Sequence, residues 1–67
     1  MSKQQKFQLI SALRAEGFRV TREGGRINAH AHGTLCTVVE VAGSGNLVIT
    51  GIGPGAEIVR QLTHEVL

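Results

Sequence analysis

The stretch from Thr34 to Gly51, TLCTVVEVAGSGNLVITG, constrains this chain more than any other. Leu35 to Val41 and Leu47 to Ile52 are rich in Val, Thr and other aliphatic residues, which suit a pleated, half-buried surface. Between them Gly43-Ser44-Gly45 supplies a turn. A three-residue hairpin loop needs its last residue at positive φ, which Gly45 adopts without strain. That loop pairs Val41 with Leu47 and Val39 with Ile49. Alternation then sets Leu35, Thr37, Val39, Val41, Leu47 and Ile49 on one face, with Cys36, Val38, Glu40, Val48 and Thr50 on the other. A two-residue loop would set Glu40 opposite Ile49 and mix the faces, so alternation favours the longer loop.

The flanking segments read as two helices and a second hairpin. Ser2-Lys3-Gln4-Gln5 fits a capping box, and a helix follows to about Glu16. Phe7, Ile10 and Leu13, flanked by Leu9 and Ala12, make its apolar stripe. Gly17 is a natural residue just past the helix end, with Phe18 as the accompanying hydrophobic contact. Phe18 to Arg22 reads as a short strand and Arg26 to Ala31 as its return. A type I′ turn at Gly24-Gly25 joins them, pairing Val20 with Ala29, Thr21 with Asn28 and Arg19 with His30. A three-residue turn around His32-Gly33-Thr34 then sets Ala29 against Thr37, Ile27 against Val39, His30 against Cys36 and Arg26 against Glu40, the last an opposite-charge cross-strand pair. Ile52-Gly53-Pro54-Gly55 ends the sheet. Pro54 suits the first helical position, and a helix with Ile58, Val59, Leu62 and Val66 on its apolar stripe runs to about Val66.

The order α-β-β-β-β-α gives two helical stripes and one apolar sheet face. The expected fold is α+β: a single small domain of two layers, a four-stranded antiparallel meander with both helices on one face. A chain of 67 residues buries only about 60% of its unfolded surface, so it gains from association. One cysteine cannot close an internal bridge, so Cys36 points to a reducing compartment or to an intermolecular bridge. No secretory leader is read in MSKQQKF and no apolar run approaches a membrane span, so a cytoplasmic protein away from the membrane is expected.

The formal charge is +2, too small by itself to define a partner. Its distribution says more. Lys3, Lys6, Arg14, Arg19, Arg22 and Arg26 against Glu16 and Glu23 leave residues 1–26 at +4, and Arg60 against Glu40, Glu57 and Glu65 leaves the rest at −2. A basic end of this kind attracts anions. The face of the sheet away from the helices is expected to carry Arg19, Thr21, Arg26, Asn28, His30, Cys36, Val38, Glu40, Val48 and Thr50. Arginines on phosphates, with Asn or Thr near base edges, suit nucleic acid. Stacking of single-stranded bases is not expected, because both Phe7 and Phe18 are assigned to the core and the chain has no Tyr or Trp.

Ser44-Gly45-Asn46-Leu47-Val48-Ile49-Thr50-Gly51, followed by a helix, resembles the Ser-Gly-Lys-φ-Val-φ-Thr-Gly hairpin of one half-repeat of the TATA-box-binding protein. That half-repeat also ends in four antiparallel strands and a helix. Its open sheet face binds the DNA minor groove, and two halves form the saddle. The resemblance implies one half that dimerises, with Asn28, Val38, Val48 and Thr50 on the concave side. The chain departs from that pattern in having no strand before its first helix, no wedging Phe on the open face, and Gly-Pro-Gly where the family has Ala-Lys-Ser.

Other chemistry reads weakly. His30, His32 and Cys36 gather near one turn, but a structural zinc site takes four ligands and His64 stands on a helix behind the sheet. Cys36 beside His30 has the form of a nucleophile–base pair without a placed orienting carboxylate. Gly51-Ile52-Gly53-Pro54-Gly55 precedes a helix without the spacing of a dinucleotide loop. No metal, cofactor or enzymatic activity is expected. The resulting expectation is a non-enzymatic binding module and homodimer, with DNA or RNA held by Arg19, Arg22, Arg26, Asn28 and His30. Cys36, Val38, Val48 and Thr50 would form the dimer or partner interface. The rival is a protein-interaction module, a small regulator or inhibitor of a larger protein.

Overall fold

The computed structural model describes residues 2–31, 33–41, 43 and 45–66. Its elements follow the expected order: α1 (Lys3–Ala15), β1 (Arg19–Glu23), β2 (Arg26–Ala31), β3 (Thr34–Glu40), β4 (Leu47–Ile52) and α2 (Ala56–Val66). The strands form one antiparallel meander in the order β1-β2-β3-β4. Both helices lie on one side of it, α1 against β1 and α2 against β3 and β4, and they pack on each other. The fold is α+β.

The start of α1 is the expected capping box. The Ser2 hydroxyl accepts from the Gln5 N–H at 3.1 Å, and the Ser2 N–H donates to Gln5 Oε1 at 2.8 Å. Its end is a Schellman motif around Gly17, at φ +94°. There the Gly17 N–H donates to the Arg14 carbonyl and the Phe18 N–H to the Leu13 carbonyl, each at 3.0 Å. Phe18 and Leu13 are both buried, which turns the chain directly into β1.

The core-facing stripe of α1 is Leu9, Ile10 and Leu13, while Phe7 is 70% exposed. The expectation that Phe7 packs inside is therefore corrected. At 3.6 residues per turn it lies roughly a third of a turn from the centre of that stripe. In α2 the buried residues are Ala56, Val59 and Thr63, and Ile58 stays largely exposed. The Thr63 hydroxyl reaches burial by donating to the Val59 carbonyl at 2.7 Å. Pro54, expected as the first helical residue, lies two positions before that residue, Ala56. The Gly55 carbonyl accepts the first helical bond, from Val59, so Gly55 is the cap and Pro54 sits in the turn ahead of it. The Thr34 hydroxyl accepts from the Gly55 N–H at 2.9 Å, tying the start of β3 to the start of α2.

The first hairpin has the expected register, with Arg19 opposite His30 and Glu23 opposite Arg26. Its turn differs in detail: Gly24 takes φ +57° and Gly25 no left-handed value. Type I′ requires positive φ at both positions.

The other two registers are displaced by one residue, and this matters for function. Ala31 pairs with Thr34, Ala29 with Cys36 and Ile27 with Val38. Cys36 pairs with Gly51, Val38 with Ile49 and Glu40 with Leu47. The turn between β2 and β3 is thus two residues, 32 and 33, with Gly33 at φ +76°; His32 lies outside the described residues. The loop between β3 and β4 spans 41–46. It is closed by the Val41 N–H on the Asn46 carbonyl at 2.8 Å and the Gly45 N–H on the Val41 carbonyl at 3.2 Å. Gly45 takes the expected positive φ, at +73°; Ser44 lies outside the described residues. Because side chains alternate along a strand, one step of slip moves all of β3 to the opposite face. Cys36 and Val38 are buried beneath the helices at 1% and 2% exposure. Leu35, Thr37 and Val39 take the open face in their place, and Arg26 faces Val39 instead of Glu40.

Gly51 explains why this register wins. A Cβ built there would collide with Cys36 Sγ and stand 2.8 Å from the Cys36 Cα. The missing side chain leaves a seat on the helix side that the Cys36 thiol fills. Both faces of β3 are nearly equal in apolar content, Leu35 and Val39 against Cys36 and Val38, so alternation alone does not choose between them.

Candidate binding face of the sheet

Combining the three registers lays the open face out as three rows across the strands. One row runs Arg19, His30, Leu35, Ile52. The middle row runs Thr21, Asn28, Thr37, Thr50. The third runs Glu23, Arg26, Val39, Val48. The β1–β2 half is polar and mostly basic, the β3–β4 half aliphatic, and a rung of hydroxyl and amide groups crosses both. Within that rung the Thr37 hydroxyl donates to Asn28 Oδ1 at 3.0 Å. The bond uses the amide oxygen, so the amide nitrogen with its two N–H groups is the part of Asn28 able to address a ligand.

The aliphatic half is well exposed for apolar side chains: Leu35 49%, Val48 46% and Ile52 76%. Aliphatic groups that stand together on a surface mark an interaction site more reliably than scattered ones.

The residues expected to bind are only partly brought together. Arg19, Arg26, Asn28 and His30 share the open face with Val48 and Thr50. Arg22 does not: it sits opposite Ile27, whose side chain is buried under the helices, so it projects from the other side of β1. Cys36 and Val38 are core residues and cannot serve as an interface. Glu23, Leu35, Thr37, Val39 and Ile52 are the members that sequence reasoning missed, the three on β3 because of the register. The usable signal was Gly51, since a glycine in a strand marks a close approach on one particular face.

The same register separates Cys36 from His30, which face opposite sides of the sheet, so the nucleophile–base pair does not form. Among the described residues no group of three or more His, Cys, Asp or Glu stands close enough to hold a metal ion. No helix of the described residues is long and apolar enough to cross a membrane.

A second surface feature lies at the β4 edge. An open groove of about 550 Å³ runs between β4 and α2, lined by Leu47, Ile49, Glu57, Arg60, Gln61 and His64. Its floor is apolar and its helical wall is charged with both signs, Glu57 and Arg60 approaching to 4.0 Å.

Compared with known proteins, the chain matches no family model, and no curated protein or solved structure matches it at a significant level.

Proposed function

We propose that this chain is a small non-enzymatic binding module that works through the open face of its sheet, and that as a homodimer it holds nucleic acid there. The supporting observation is the three-row layout. Arg19 and Arg26 flank a rung of Thr21, Asn28, Thr37 and Thr50, with aliphatic side chains beside it. Arginines at that spacing can contact phosphates. The rung offers hydroxyl and amide donors for base-edge acceptors, which in the minor groove distinguish chiefly A·T from G·C pairs. A smooth aliphatic surface suits a groove floor. The resemblance of residues 44–51 to a TATA-box-binding half-repeat points the same way.

Fluorescence anisotropy with a labelled mixed-sequence duplex tests this. Wild-type binding should weaken steeply with salt. Arg19→Ala with Arg26→Ala should weaken binding and flatten the salt dependence by about 0.9 in log–log slope for each phosphate contact removed. Retention unchanged in that double variant overturns the reading. Ile52, at 76% exposure, favours a second one, in which the aliphatic half docks a protein. Binding of that kind would be insensitive to salt and lost on Ile52→Glu.

A further inference from the structure

We propose that two copies of this chain join along their β4 edges, in an antiparallel pairing centred on Thr50. The proposal rests on the homodimer reading above and names its interface.

Three independent features select this edge. The first is its lack of protection. The sheet order leaves β1 and β4 as its two edges, and among the described residues no strand lies beyond either. Edge strands are usually blunted by charge, proline or a bulge, because their outer backbone groups otherwise template pairing. β1 carries Arg19, Arg22 and Glu23 within five residues. β4, Leu-Val-Ile-Thr-Gly-Ile, carries no charge and no proline.

The second feature is self-complementarity of the rows. A two-fold axis perpendicular to the sheet keeps both helix layers on one side, so residues paired across the new edge must share a face. Centring on Thr50 sets Thr50 against Thr50 of the second copy, and Val48 against Ile52 of the second copy, twice. The middle rung then continues from one copy into the other, and the aliphatic halves merge. Centring on Ile49 instead sets Val48 against Thr50 and breaks both rows.

The groove between β4 and α2 is the third feature. Leu47 and Ile49 are only partly covered there, and the second copy would bring the same groove against them. An isologous contact presents one patch to itself, so a favourable patch holds both signs of charge. Glu57 and Arg60, with His64 one turn further along α2, meet that condition. The product is one continuous sheet of eight strands. Its centre carries Leu35, Val39, Val48 and Ile52 from both copies, and Arg19, Arg26 and His30 lie toward its two ends.

The wild-type mass is measured first, by sedimentation equilibrium. Twice the 7.1 kDa chain mass is expected. Thr50→Lys, at an exposed position, should return the mass to that of one chain, because it sets like charges directly opposite across the axis. In a Cys36→Ala background, Thr50→Cys should form a disulfide-linked dimer at least tenfold faster than Thr21→Cys. The same pair of variants with the buried Cys36 retained guards against a background that fails to fold. A dimer whose mass survives Thr50→Lys, or whose two cysteine variants cross-link equally, overturns the β4 interface and leaves the homodimer reading standing. A monomeric wild type overturns both. Anisotropy with duplex DNA reads the nucleic-acid proposal separately from either result.

Discussion

Val38 and Val39 are adjacent, chemically identical, and on opposite faces of β3. Truncating each to alanine therefore measures the register directly. Val38 is 2% exposed, packed with Ile27, Ala29, Val59 and the rest of the core. Losing two methyl groups there costs about 1.6 kcal/mol in transfer free energy at about 0.8 each. Incomplete collapse of the cavity adds up to about 1 kcal/mol. Val39 lies on the open face, partly covered, and leaves no enclosed cavity, so its truncation should cost no more than about 1 kcal/mol. The difference in strand propensity between Val and Ala is common to both variants and cancels to first order. A chain of 67 residues has a total stability of about 3–10 kcal/mol, so a loss near 2 kcal/mol is readily seen. Urea titration followed by far-ultraviolet circular dichroism should give a lower midpoint for Val38→Ala with an unchanged slope. In thermal melts Val38→Ala should lose about 8–16 °C, at 4–8 °C per kcal/mol for a domain of this size. Val39→Ala should stay within about 8 °C of wild type on the same scale. If Val39→Ala proves as costly as Val38→Ala, the assignment of faces on β3 is wrong, and the layout of the binding surface falls with it.

Two further predictions probe the same arrangement. Gly51→Ala should destabilise the domain by about 1–3 kcal/mol through overpacking against Cys36 and the Leu35 carbonyl, despite the gain of up to about 1 kcal/mol that a Gly→Ala change brings in the unfolded chain; a neutral result in urea denaturation would refute the close approach. Thr34→Val should cost about 1–3 kcal/mol by leaving the Gly55 N–H without its acceptor, whereas Thr34→Ser should recover most of that loss in the same assay.

The order of elements was legible because each boundary had a local chemical cause. Ser2 and Gln5 close a box around the first turn of α1, and Gly17 ends it, without help from the rest of the chain. Gly24-Gly25 fixes the first hairpin in the same way. The registers of β3 were not legible, and the reason is specific. Leu35-Cys36-Thr37-Val38-Val39 offers similar apolar content on both faces, so a period of two cannot say which is inside. The opposite charges of Arg26 and Glu40 suggested a pairing that the core does not adopt. A surface ion pair contributes at most about 1 kcal/mol, less than burying one valine. What decides is the seat left by Gly51, a contact between residues 15 apart in sequence that no local pattern displays.

The candidate face inherits that difficulty. Its polar half was readable, because the Gly24-Gly25 turn fixes β1 on β2 and alternation then carries Arg19, Asn28 and His30 to one side. The β3 members of its aliphatic half, Leu35 and Val39, depended on a register that only packing sets. With the correct register, Cys36, Val38 and Glu40 leave the open face and Leu35, Thr37 and Val39 take it, while β4 keeps Val48, Thr50 and Ile52 there in either register, so the surface becomes less acidic at similar apolar content. The loss of an acidic side chain from the face favours contact with a polyanion. The binding face therefore follows from that packing choice, whereas the unguarded edge follows from the sequence of β4 and its place at the end of the meander in either register. A substitution that forced β3 back by one residue would return Glu40 to the face and exchange Leu35 and Val39 for Cys36 and Val38 beside Val48 and Ile52, which keep their side of the sheet in either register.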